Sequence, residues 1–144
     1  PRHEWPSHRG HESRSVDLIV KLCERLRVPN DFRKLAIRVA EYHGHAHRAL
    51  ELRPGTVMKV LEATDALRNP EGFKEFLLAC EADSRGRPGF EEQDFPQPAL
   101  FRRAFEAANS VSAKAIVDQG YRGAEIGERL REARIEAVKT SLRK

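Results

Sequence analysis

The histidines of this chain are confined to its first third, and none follows His47. Three of them form a cluster at His43, His45 and His47, and His11 lies further upstream. Imidazole is the commonest metal ligand in proteins and the only side chain that ordinarily changes charge near neutral pH. The distribution therefore points to a metal site or an acid–base site in this part of the chain.

His43 and His47 are four residues apart, so a helix would place both on one face. Two imidazoles at this spacing could share a metal ion or line one pocket. The alternative is structural: His43 would donate a hydrogen bond to a backbone carbonyl, and His47 would lie at the rim of the core. His45, on another face, is expected at the surface.

Asp83 extends an apolar stripe that includes Phe76 and Cys80 at helical spacing. A carboxylate buried without a partner would cost several kcal/mol. A metal ion, or a nearby arginine such as Arg85 or Arg87, would remove that cost. Otherwise the helix frays before Asp83 and leaves its side chain in water.

His11, His43 and Asp83 come from three separate predicted helical elements and together make a recognisable ligand set. Gly10 would let the backbone turn and direct His11 inward. The set is incomplete for hydrolysis, which needs further ligands to hold a metal-bound water.

The elements that must position these side chains all read as helices, because apolar residues recur at steps of three and four. Pro29 ends the first helix, whose stripe reaches Leu26, and Asn30 is the predicted N-cap of the second. Pro54 begins the third, and Asn69 caps the fourth. Two further helices follow, separated at residues 120–123. The prolines and glycines of residues 85–98 mark the one clear boundary.

The bulk composition fits a soluble protein with a buried core. The chain has 144 residues, of which 40% are hydrophobic and 33% charged, and its net charge is +4. No apolar run approaches the roughly 20 residues that span a bilayer. Cys23 and Cys80 lie on apolar stripes and indicate core thiols in a reducing compartment. Glycine-rich phosphate loops and the serine hydrolase elbow motif are absent.

The last predicted helix is rich in basic residues, and its charges are mixed. A solvated face is one interpretation, since many of these charges pair at three or four residues' separation. Binding to the phosphate backbone of a nucleic acid is the other interpretation, because Lys and Arg supply most non-specific affinity for nucleic acids. The candidate contact residues are Arg122, Arg129, Arg131, Arg134 and Lys139.

Several stretches resemble the bacterial CCA-adding enzymes, the tRNA nucleotidyltransferases that carry an HD phosphohydrolase domain. The resemblance covers nearly the whole chain. The matching stretches are PSHRGHE at 6–12, CERLRVPN at 23–30, EYH at 41–43, ELRP at 51–54, ACEAD at 79–83, GAEIG at 123–127 and AR at 133–134.

The resemblance implies an all-α fold made of the second half of an HD-type domain and a helical tail. The domain would occupy residues 1–87, a Pro/Gly linker residues 88–97, and the tail residues 98–144. A start at Pro1 without methionine leads us to expect a fragment of a longer chain. The nucleotide-adding head and the HD dyad would then lie outside it, and this chain alone would be inactive.

By the same resemblance, His11, His43 and Asp83 would be metal ligands, with Glu12 and His47 at the pocket edge. The family implies Mg²⁺ for nucleotide addition, and Ni²⁺ or Mn²⁺ for a phosphatase and 2′,3′-cyclic phosphodiesterase activity in the HD domain. Its partners would be tRNA, with CTP and ATP bound by the head, in the cytoplasm. The alternative is a non-catalytic helical module that binds tRNA or acts as a scaffold.

Overall fold

The computed structural model describes the backbone of residues 11–143 and the side chains of residues 12–143. Within that range the chain is all-α, as predicted, and contains no strand. The chain divides into two compact units, at residues 1–44 and 45–144. None of the described helices is long and apolar enough to cross a membrane.

The first unit is built from α1 (His11–Leu26) and from α2 (Asn30–His47) as far as Gly44. Glu24 of α1 and Arg33 of α2 form an ion pair of 3.2 Å. Leu26, predicted on the buried stripe, is 60% exposed, because the helix ends there. Asn30 is the first residue of α2 and not its N-cap, so that prediction is wrong by one position.

Both α1 and the third helix end in a Schellman motif that contains no glycine. At the end of α1, Val28 N–H donates to Cys23 O (2.9 Å) and Arg27 N–H donates to Glu24 O (3.3 Å). Arg27 therefore takes a left-handed conformation with φ 52°. This conformation is one that glycine adopts most easily at this position.

The second unit contains a short 3-10 helix (Ala49–Glu51) and five α-helices. The N-terminal predictions are confirmed for the first two of these α-helices: Pro54 is in the first turn of one, and at the start of the next the Asn69 side chain accepts a hydrogen bond from Gly72 N–H (3.1 Å). The helices are α3 (Pro54–Ala63), α4 (Pro70–Arg85), α5 (Gln97–Asn109), α6 (Ala113–Asp118) and α7 (Ala124–Leu142).

The core of the second unit is aromatic where α4 meets α5. Phe73 lies 6.3 Å from Phe101, edge to face, and 6.0 Å from Phe105. Helix α7 packs against α3, α5 and α6, and buries Val138 completely. The unit thus spans both sides of residues 88–97, the predicted linker, and α3 packs against α5 as well as α7.

Candidate functional site

The tightest pairing of candidate side chains joins the end of α2 to the end of α4. His47 Nε2 lies 2.7 Å from Asp83 Oδ2. Gln97 Nε2 donates to the backbone oxygen of His47 (3.1 Å), and the ring of Phe95 lies 5.6 Å from the imidazole. His47 is therefore held by hydrogen bonds at both its ring and its backbone, and the carboxylate of Asp83 orients its imidazole.

Asp83 is less buried than its position on the stripe suggested. Helix α4 continues to Arg85, so it does not fray before Asp83, yet 53% of the Asp83 side chain is exposed. The partner is His47 and not Arg85, which donates to Glu81 (2.9 Å) and to the backbone oxygen of Glu91 (2.8 Å). The cost of burying an unpaired carboxylate does not arise here.

His43 has the hydrogen bond that the structural interpretation required. Its Nδ1 lies 3.0 Å from Val39 O and 3.2 Å from Ala40 O, one turn back along α2. A carbonyl oxygen can only accept, so Nδ1 donates the hydrogen bond, and in the neutral imidazole Nε2 then carries the lone pair. This tautomer is the one in which Nε2 can bind a metal ion. The hydrogen bond that His43 Nδ1 makes to the backbone is therefore compatible with a role of Nε2 as a metal ligand.

The side chain of Glu12, near the start of α1, reaches Gly44 of α2. A Cβ at this position would lie 2.8 Å from Glu12 Oε1, which is too close for real atoms. The turn of α2 that carries His43 thus lies against Glu12, the second residue of α1. The side chain of His11 lies outside the described residues, and its predicted role stays a prediction.

Among the described side chains, no group of three or more His, Cys, Asp or Glu residues is arranged to hold a metal ion. The ligand set His11, His43 and Asp83 includes a side chain beyond that range, so the set as a whole also stays a prediction. The chemistry of its donors, imidazole nitrogen and carboxylate oxygen, suits a first-row divalent metal.

The basic residues of the last helix differ in their surroundings. Arg131 forms a two-pronged ion pair with Glu62 of α3, at 2.8 and 3.2 Å. Lys139 pairs with Glu136 at 2.9 Å, and Arg129 pairs with Glu132 at the same distance. The last two contacts, each between residues three apart in α7, follow the pairing that the first interpretation predicted for a solvated face, whereas the Arg131 pair joins two different helices.

The other basic candidates have no acidic partner in the part of the chain that the structure describes. Arg122 is exposed, and it contacts only the backbone oxygen of Tyr121 (3.3 Å). Arg134 is half-buried and lines a small cavity with Glu62 and Asp65, but its Nε makes no hydrogen bond within the described residues. Of the five candidates, Arg122 is thus the most available to an external phosphate.

Both cysteines are free thiols in the core, as predicted. Burial, with a smaller contribution from the charge of Asp83, raises the pKa of the Cys80 thiol to about 12. A thiol with so high a pKa stays neutral at physiological pH and is a poor nucleophile. Cys80 is therefore best described as a packing residue of the core.

Comparison with curated proteins gives matches over nearly the whole chain. It is 55% identical over 134 residues to the multifunctional CCA protein of Thioalkalivibrio sulfidiphilus. It is 51% identical over 142 residues to that of Nitrosococcus oceani, and 50% identical over 139 residues to that of Teredinibacter turnerae. The chain is related to the multifunctional CCA proteins.

These matches cover 93–99% of the chain but only 33–35% of each multifunctional CCA protein. The chain thus spans about a third of the length of these relatives. No protein-family model matches the chain. No solved structure matches it either.

Proposed function

We propose that the chain is the helical, tRNA-contacting portion of a multifunctional CCA protein, an enzyme that adds CCA to tRNA 3′ ends in the cytoplasm. The observation that carries this proposal is the identity of about half its residues with proteins of that name over 93–99% of its length. CTP and ATP would bind in a part of the enzyme outside this chain.

For tRNA contact, we propose the basic residues at and within α7, led by Arg122. Its exposure and lack of an acidic partner in the described range support the choice, because a free guanidinium binds phosphate without first breaking an ion pair. Arg129, Arg131 and Lys139 would contribute after exchange of their carboxylate partners. Arg134 would need to turn outward from its cavity.

The test is a titration of tRNA binding against salt. Replacing Arg122 with Gln should lower the slope of log affinity against log salt by about 0.7–0.9, the contribution of one phosphate contact. Lys74→Gln is a matched control for Lys139→Gln, because both lysines pair with a glutamate three residues earlier in a helix. Equal effects of these two variants would count against a site on α7.

We further propose that His11, His43 and Asp83 provide ligands of an HD-type metal centre that prefers Ni²⁺ or Mn²⁺. The tautomer of His43 and the packing of Glu12 against Gly44 support this assignment. The metal would supply a Lewis acid for phosphate-ester hydrolysis in the full-length enzyme, where Mg²⁺ would serve nucleotide addition. The chain alone should lack both activities.

Adding Ni²⁺ or Mn²⁺ should raise the melting temperature of the chain, because an ion that binds only the folded state stabilises it. His11→Ala and His43→Ala should abolish this increase, and His45→Ala should retain it. An unchanged response in all three variants would mean that the ligand assignment is wrong. A non-catalytic tRNA-binding or scaffold module would then be the better account.

A further inference from the structure

A groove in the second unit lies between the short 3-10 helix, α5 and α7. Its volume is about 510 Å³, within the range of roughly 300–1,000 Å³ that is typical of small-ligand sites. It involves none of the histidines discussed above, and only Lys139 of the tRNA-contact candidates lines it. The groove is therefore largely unused by the proposed function.

Much of the groove's lining is apolar. Among its leucines, Leu100 is only 7% exposed, whereas Leu50 is 63% exposed. The other apolar lining residues are Ala49, Leu52, Pro54 and Leu142. A single exposed leucine needs no explanation. Leu50, however, lines a recess together with three other leucines, and this recess can cover a flat apolar group.

The charged residues that line the groove are all cationic: Arg103, Lys139 and Arg143. Lys139 is partly neutralised by Glu136, which lies outside the lining. Arg103 and Arg143 have no acidic partner within the described range. Positive charges that converge without a counter-charge favour an anionic ligand.

We propose that this groove binds an unpaired nucleotide of RNA, with its phosphates at Arg103 and Arg143 and its base on the leucines. The inference rests on the proposed function, which makes RNA the partner, and it adds a site for an unstacked base. Guanidinium groups bind phosphate oxygens in pairs and also stack on bases. A flat membrane surface fits less well, because the apolar residues line a recess.

The test compares the affinity of the chain for a short fluorescein-labelled single-stranded RNA and for a blunt RNA duplex of equal charge. Arg103→Gln should weaken single-strand binding about fivefold or more. Leu50→Ser should weaken single-strand binding and leave duplex binding unchanged, because a duplex keeps its bases stacked. Circular dichroism of each variant checks that the helices are intact.

The chain offers a matched control for each variant. Arg102 is the exposed neighbour of Arg103 but does not line the groove, and Leu78 is 67% exposed on α4. Arg102→Gln and Leu78→Ser should each change single-strand affinity less than about twofold, since neither touches the ligand. Equal losses in Arg102→Gln and Arg103→Gln would overturn the proposal in favour of unspecific charge attraction.

Vesicles of phosphatidylcholine and phosphatidylglycerol distinguish the lipid alternative. If Arg103→Gln lost vesicle binding but kept RNA affinity, the groove would be a lipid site and the proposal would be wrong. Failure of the groove can be separated from failure of the proposed function. If only the groove proposal is wrong, Arg122→Gln still weakens tRNA binding while Arg103→Gln does not. If the proposed function is wrong, neither variant has an effect on tRNA binding.

Discussion

At the scale of single residues, the pairing of His47 with Asp83 joins two positions 36 residues apart. The sequence singled out both of them, but for separate reasons, and it offered arginines as partners of Asp83. Periodicity places a residue on a helix face, but it does not tell which other helix that face meets. The contact depends on how α2 and α4 end and on the contacts that Phe95 and Gln97 make with His47.

We expect the His47–Asp83 pair to stabilise the fold modestly, because half of the Asp83 side chain is in water. Replacing each residue with Ala, singly and together, should give a coupling free energy of about 0.5–1 kcal/mol. Urea denaturation of the four proteins measures it. Glu75→Ala serves as a control for loss of an exposed acidic side chain on α4. A coupling free energy near zero would mean that the His47–Asp83 pair contributes nothing to stability.

The neutral Cys80 thiol predicts a loss of stability at alkaline pH. Its pKa is raised from 9.0 to about 12 in the folded state. The contribution to stability is therefore fully present below pH 9, where the thiol is neutral in both states. It is lost as the pH rises from 9 towards 12, because the unfolded chain ionises its thiol over this range while burial keeps the thiol of the folded state neutral. Unfolding curves of the chain and of Cys80→Ala over this range check the prediction, since the variant should lose the part of the dependence that this thiol causes.

At the scale of the helix, α1 ends at a strained residue that can be improved. A non-glycine residue pays about 1–2 kcal/mol for the left-handed conformation that Arg27 adopts. Arg27→Gly should therefore stabilise the protein by up to about 1 kcal/mol, after the higher entropy of the unfolded glycine is subtracted. Thermal denaturation measures the change. Arg25→Gly, inside the same helix, should instead destabilise by about 1 kcal/mol.

The helical elements could be predicted largely from the sequence, because proline, asparagine and apolar spacing act locally. The helix starts predicted at Pro54 and Asn69 are confirmed for that reason. The stretch after the 88–97 segment was predicted as one helix up to Gly120, but it is two: α5 ends at Asn109 and α6 begins at Ala113. Ser110 and Ser112, at this break, are residues that favour helix ends, and this signal was overlooked.

At the scale of the whole molecule, the core of the second unit depends on a few large side chains. Phe101 is completely buried, next to Phe73. Phe101→Ala should cost about 3–5 kcal/mol, a large part of the stability of an ordinary domain. Urea denaturation followed by circular dichroism should show the unfolding midpoint at a lower urea concentration. Phe90→Ala, at a site that is 39% exposed, should change this midpoint little.

The candidate site was less predictable than the fold. Residue types identified His43 and Asp83 as unusual, but the hydrogen bonds of His43 and the exposure of Asp83 depend on three-dimensional packing. The groove at Arg103 gave no sequence signal at all, because its lining comes from three segments that lie far apart in the chain. Sites of this kind emerge only once the helices have been packed.

The packing of α7 also has a consequence for how the protein is made. This helix covers α3, α5 and α6, and Arg131 reaches a glutamate 69 positions earlier. During synthesis, the apolar faces of α3 and α5 therefore remain exposed to solvent until residues near Val138 have left the ribosome. Contacts this distant in sequence form late and slowly. The second unit should thus be most prone to aggregation, and most in need of chaperones, while it is being translated.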